Sequence, residues 1–322
     1  MRPATKCSAL LVVLCLVVAL PARSDEPSNA RPPRDEGDLV YWLRNMSWHR
    51  YTSEEMADAT GLDVAAVKAA LHRLELENVA PPKRTSSAPL RVLPYPGGRH
   101  PRIGFLDGAI RPQRETKVSI FTPWDDDSYV VVDVPEALWS HLGLTYLAHT
   151  HIPTLFDKQG TKLEPLEWDR SDKNGTLRIA RRLPNGISFG AVVKPGADAV
   201  RMELTLTNGT SETLRDLRVQ NCVMLKGAVG FTALTNANKL FQKPYVACRS
   251  DDGAKWIITA WEPCDRPWAN APVPCLHSDP KFPDCPPSQS RRLTGWLSFY
   301  QGTNITAELA RIDKTAWRAG GN

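Results

Sequence analysis

The chain has 322 residues, 42% hydrophobic and 23% charged, the balance of a globular protein with room for one large core or two smaller ones. A formal net charge of +5 is too mild to call for nucleic acid or an anionic membrane as a partner. The 27 prolines cluster at 27–33, 81–101 and 263–287, which excludes long uninterrupted helices from those stretches.

In chain order, residues 1–24 read as a cleaved export signal. Arg2 and Lys6 precede the apolar run Ala9–Leu20, and small residues follow at Pro21-Ala22-Arg23-Ser24. The apolar run is short for a membrane span, which takes roughly 20 residues. A secreted or periplasmic protein is therefore expected, with a membrane anchor the lesser alternative.

Residues 36–80 are the strongly helical stretch. Leu39, Trp42, Leu43 and Met46 recur at helical spacing, and Thr52-Ser53-Glu54-Glu55 reads as a capped helix start. Glu54–Leu74 follows a helix-turn-helix pattern, with Gly61 at the turn and Val67 and Leu71 on the inner face. Lys68 and Arg73 are offset by Asp63, Glu75 and Glu77, so the second helix lacks the excess positive charge a DNA reader needs. A small structural bundle, or a docking surface for a protein partner, is the expectation.

Residues 81–98 read as a Pro-rich linker. From 99 to 312 the texture is β. Predicted strands are Lys117–Phe121, Ser128–Val134, Leu144–His149, Thr176–Arg182, Ile187–Val193, Ala199–Thr207, Leu214–Leu225, Lys255–Trp261 and Leu293–Tyr300. Asn-Gly turns at 174–175, 185–186 and 208–209 support a mainly β chain folded as a sandwich. Leu217–Leu225 carries apolar residues on both faces, which predicts a central strand in which the Gln220 and Asn221 amides must find partners.

Export favours disulfides among Cys248, Cys264, Cys275 and Cys285, whose pairing the sequence leaves open. Cys222, inside an apolar run, reads instead as a buried thiol outside any disulfide.

His149-Thr150-His151 is the sharpest constellation. On a strand the two imidazoles share a side and could close on one divalent metal ion. The Pro-rich stretch Cys264–Cys285 reads as an ordered loop roofing a site, and it carries His277 and Asp279. Trp124 and Trp268 fall in loops, where an indole can stack on a sugar ring, and Asp125-Asp126-Asp127 reads as a solvated turn. Glu164, Glu167 and Glu203 lie near strands and supply candidate acids.

Three resemblances add to this reading. Gly143, five residues, then His149-x-His151 resembles the opening of the cupin metal motif, with Asp157 standing where that motif has glutamate. Ala199–Leu225 resembles the central strands of the galactose-mutarotase-like supersandwich: a strand ending in Leu206-Thr207-Asn208, a polar excursion and a second apolar strand. Arg99–Ile312 also resembles a group of exported bacterial proteins of unassigned function, through His149–Thr154 and His277–Cys285. The supersandwich resemblance implies carbohydrate as the ligand class and carries over no catalytic residue.

The leading expectation is an exported carbohydrate-acting or carbohydrate-binding sandwich. His149, His151, Glu167 and His277 would be catalytic, with Trp124, Asn221, Trp268 and Asp279 on the ligand. The alternatives are a metal-dependent cupin-like enzyme at His149 and His151, and a non-catalytic surface module.

Overall fold

The computed structural model describes residues 30–101, 114–149 and 152–319. The export signal expected over 1–24 and the second histidine, His151, lie outside them. No helix among the described residues is long and apolar enough to cross a membrane.

Three helices come first: α1 (Glu36–Trp48), α2 (Ser53–Thr60) and α3 (Val64–Arg73). Thr52 and Glu55 close the capping box read in the sequence, and Gly61 ends α2 in the left-handed region at φ 75°. Trp42, Leu43, Met46, Met56, Val67 and Leu71 form the core of this small bundle.

The strands in chain order begin with β1 (Val92–Pro94), β2 (Lys117–Phe121), β3 (Tyr129–Asp133), β4 (Ala137–Ser140) and β5 (Gly143–Leu147). After the short α4 (Leu155–Lys158) come β6 (Leu177–Arg182), β7 (Ser188–Pro195), β8 (Ala199–Thr207), β9 (Val219–Gln220) and β10 (Val223–Met224). The rest are β11 (Lys239–Gln242), β12 (Tyr245–Arg249), β13 (Lys255–Glu262), β14 (Cys264–Trp268), β15 (Cys275–Pro280) and β16 (Ser290–Gln301). Helix α5 (Ile305–Asp313) follows them.

They form a six-stranded sheet β1-β2-β3-β10-β15-β14, a seven-stranded sheet β11-β12-β13-β16-β8-β7-β6 and a small sheet β5-β4-β9, every pairing antiparallel. The protein is mainly β, a sandwich with a small helical region at its N-terminal side. Val118, Ile120, Val130 and Val132 of the six-stranded sheet meet Val193, Met202, Leu204 and Leu297 of the seven-stranded sheet in one core. Leu309 and Ile312 of α5 cover the far face of the seven-stranded sheet.

The helical bundle covers part of the outer face of the six-stranded sheet. The Asn45 amide donates to the Pro94 carbonyl at 3.0 Å, Ser119 Oγ hydrogen-bonds His49 Nε2 at 2.7 Å, and Tyr51 Oη donates to the Gly97 carbonyl at 2.7 Å. The surface expected to meet a protein partner is thus partly used within the chain. Gly98 makes this docking close: at φ +72° its missing Cβ would lie 2.5 Å from the Glu55 carbonyl oxygen and 2.7 Å from Ala59. Gly98→Ala should cost about 1–3 kcal/mol. A lower urea midpoint, with faster proteolysis between bundle and sandwich, checks this.

Four expectations change. The linker read over 81–98 ends in a strand, β1, because Val92 and Pro94 pair with Ile120 and Val118. The single strand expected over Leu214–Leu225 switches sheets, since Asn221 gives its backbone N–H to the Asp279 carboxylate at 3.2 Å between β9 and β10. The Cys264–Cys285 loop is instead the β14–β15 hairpin within the six-stranded sheet, with Trp268 paired to His277. None of the five described cysteines is in a disulfide. Cys248 and Cys285 are locked in the main core and Cys264 hydrogen-bonds with Ser278, while Cys222 is the buried thiol read from its apolar run.

Candidate functional site

Alternation along each strand puts every second residue of the six-stranded sheet on its outer face. The ladder register then lines up chemistry across strands. Lys117 pairs with Asp133, Val132 with Val223, Val223 with Leu276, and His277 with Trp268. One step along the same register sets Cys222 between Asp133 and His277, and the Asp133 N–H donates to the Cys222 carbonyl at 2.9 Å. Lys117, Asp133, Cys222, His277 and Trp268 therefore form one row across five strands.

A second layer closes on this row. Glu136 leads into β4, and the chain returns from β5 to His149, with the Ala148 N–H donating to the Glu136 carbonyl at 2.7 Å. The result is an alternating train of charge. Lys117 Nζ is 3.2 Å from Asp133 Oδ1, and His149 Nε2 is 3.5 Å from both Asp133 Oδ2 and Glu136 Oε1. His277 Nδ1 is 4.0 Å from Glu136 Oε2 and 3.5 Å from Asp279 Oδ1. Arg266 closes the train 3.0 Å from Asp279 Oδ2. Lys117 and Asp133 are fully buried, at 0% exposure each, and Glu136, His149, His277 and Asp279 are nearly so.

His277 lies between Glu136 and Asp279 and is the ring placed to carry a positive charge against them. Burial alone would drive this imidazole down, but Asp279 and Cys275 outweigh it and push it up to about 10. A hydrogen bond from Cys222, aided by His277, holds the Cys275 thiol well below its ordinary range despite burial.

Gln220 satisfies the expectation for its amide by donating to Glu136 Oε2 at 2.9 Å. Asn221 does not: it is buried, and neither atom of its side-chain amide has a hydrogen-bond partner among the described residues. Leaving such a group unpaired costs about 1–3 kcal/mol. Two donor sets could hold a metal. Asp133, Glu136 and His149 offer ligand atoms within 4.8 Å of one another, as do Cys222, Cys275 and His277. In the first set Lys117 already supplies the positive charge beside Asp133.

A cleft of about 310 Å³ opens beside this train, walled by Glu55, Arg99, His100, Tyr129 and Lys226. His100 lines the cleft, and its ring stacks on that of His149 at 5.5 Å. Arg99 is held by Glu55 at 3.1 Å and lies over the Tyr51 ring at 4.0 Å.

No family model matches this chain, and no curated protein does. Among solved structures it is similar to a candidate kojibiose phosphorylase from the human microbiome, at TM-score 0.37 and 6% identity, over 59% of this chain and 26% of that one. A candidate aldose 1-epimerase from Escherichia coli K12 gives TM-score 0.37 and 12% identity, over 58% of this chain and 96% of that one. Heparan sulfate lyase HepC from Pedobacter heparinus gives 0.37 and 10%, over 87% of this chain and 45% of that one. The chain thus spans about a quarter of the phosphorylase and under half of the lyase. At these identities and TM-scores no activity and no residue role is taken from the likeness.

Of the residues picked from sequence, the fold gathers His149, His277, Asn221, Asp279 and Trp268. Two are elsewhere. Glu167 pairs with Arg31 at 3.5 Å and Arg114 at 3.8 Å in a separate cleft under the helices. Trp124 packs on Phe231 and Phe299, with Lys255 over its ring, so its stacking surface is used inside the chain. Trp268 is at the site, but His277 stacks on its ring at 4.2 Å and Arg266 lies over it at 4.5 Å. Its indole N–H donates to Asp279, so it orients the train rather than offering a free face to a sugar. Asp157, in the place of the cupin glutamate, is taken by the Thr154 backbone and hydroxyl as a helix cap.

Proposed function

We propose that this chain acts on a carbohydrate by acid–base chemistry, with His149 and Glu136 as the proton-handling pair. The observation that carries this is a buried imidazole held 3.5 Å from two carboxylates, beside a cleft whose wall residue His100 stacks on it. Asp133 orients the ring, leaving Glu136 to exchange a proton with it, the division of labour general acid–base catalysis uses. The carbohydrate class is supported by the resemblance of Ala199–Leu225 to the galactose-mutarotase-like strands. Anomeric epimerisation takes a proton from the anomeric hydroxyl and delivers one to the ring oxygen, whereas elimination takes one from a sugar carbon and delivers one to the leaving oxygen; one imidazole–carboxylate pair can serve either.

The test is a panel of sugars and glycans followed by polarimetry, reducing-end release and ultraviolet absorbance of unsaturated products. Glu136→Gln and His149→Asn should each lower kcat by about 10²–10⁴-fold, with KM changed only a few-fold. Turnover undiminished in Glu136→Gln would end the acid–base assignment. A divalent ion at Asp133, Glu136 and His149 is the other use of these donors; activity lost to a chelator and restored by one added ion would favour it.

A further inference from the structure

The second donor set stands on its own observations and needs neither reading above. Cys222, Cys275 and His277 are all buried, and one ligand atom from each lies within 4.8 Å of the others. The ladder explains why. Met224 pairs with Cys275 and Val223 with Leu276, so Cys222 falls opposite His277 and all four donors share the outer face of β10 and β15. Met224 is fully buried in the same apolar cluster as Cys222 and Cys275. Two thiols, a thioether and an imidazole thus occupy adjacent corners of one two-strand ladder.

We infer that Cys222, Cys275 and His277, with Met224 beside them, form a binding site for a soft monovalent cation, copper(I). Thiolate and thioether donors select copper(I), whereas zinc takes a closed tetrahedron of thiolate, imidazole or carboxylate and gains little from a thioether. The surroundings fit. Tyr95, Phe121, Tyr129, Val131 and Val273 pack around the sulfurs and exclude water. Asp279 lies 3.5 Å from His277 Nδ1, the outer carboxylate that commonly fixes a metal-binding imidazole. Lys239 is within electrostatic reach of Cys275, so a copper(I) dithiolate, which carries a net negative charge, has a cation nearby. Binding displaces the protons that the ligand atoms carry, the one on His277 among them, and changes no oxidation state.

The test uses the reduced full-length protein under argon, with copper(I) presented as its bicinchoninate complex. One equivalent should pass to the protein, and Cys222→Ser and Cys275→Ser should each weaken that transfer by about a hundredfold or more. X-ray absorption at the copper edge of the loaded, unsubstituted protein should show sulfur as the main scatterer, which decides the matter even if the serine variants fold poorly. A shell of nitrogen and oxygen alone, transfer unaffected by both serine substitutions, or one equivalent of zinc bound where copper(I) is refused would each overturn the assignment. Sugar turnover is read separately, so its failure leaves this result intact.

Discussion

Lys117→Met should cost the fold about 3–5 kcal/mol even though methionine fits the lysine's volume. Lys117 and Asp133 sit opposite each other in the β2–β3 ladder with both side chains at 0% exposure. Nζ lies 3.2 Å from the carboxylate and also donates to the Ala148 carbonyl at 3.1 Å, the residue next to His149. Removing the ammonium leaves Asp133 buried with only the His149 imidazole for compensation. A buried pair contributes little net stability against well-packed apolar residues, but half of one is expensive. The double variant Lys117→Met/Asp133→Leu should therefore recover much of the loss, while sugar turnover stays low because His149 has lost its orienting carboxylate. Urea midpoints of the two variants check this. A Lys117→Met protein within about 1 kcal/mol of the parent, or a double variant worse than the single, would mean the charge is solvated in a way its burial does not suggest.

This pair also marks how far the sequence could be read. Short runs between turns place β2 and β8 to the residue: Val118 and Ile120 alternate with Lys117 and Ser119, and Val200, Met202, Leu204 and Leu206 with polar neighbours, although β2 is buried on both faces. β14 and β15 are hidden in the sequence because Pro267, Pro272 and Pro274 have the look of loop residues, yet Pro267 sits on an outermost strand, where a missing N–H costs the sheet little. His149, Asn221, His277 and Asp279 could be chosen by residue type, and only the register shows that they meet. Lys117 and Asp133 do carry a signal in the sequence: a lysine opening KVSIF and an aspartate inside VVVDV are charges in strands otherwise apolar. Glu167 is a candidate by residue type alone and lies elsewhere, since nothing local records that Arg31 and Arg114 come to meet it.

Acid should release the helical bundle through His49. His49 caps α1, its Nδ1–H donating to the Asn45 carbonyl at 2.7 Å while Nε2 accepts from Ser119 on β2 at 2.7 Å. Burial lowers its pKa to about 3; the Asn45 bond opposes this, and the nearby Arg99 charge adds to it. The rings of Tyr51, Tyr95, Phe121 and Tyr129 surround it, and among the described residues no carboxylate acts on its titration. The unfolded chain takes up that proton near pH 6.5 and the native chain does not, so stability is complete above about pH 6.5 and falls as the pH drops toward about 3. The integrated loss is roughly 4–5 kcal/mol at its limit. His49→Gln keeps a donor and an acceptor but no titration, so its urea midpoint should lie below the parent's at pH 7.5 and fall less steeply between about pH 6.5 and 4. Parallel pH profiles would clear His49 and place the acid sensitivity on the carboxylates. A bundle that lifts on acidification also bares the wall of the cleft beside His100, so proteolysis within 36–80 should rise over the same pH range in the parent and not in His49→Gln.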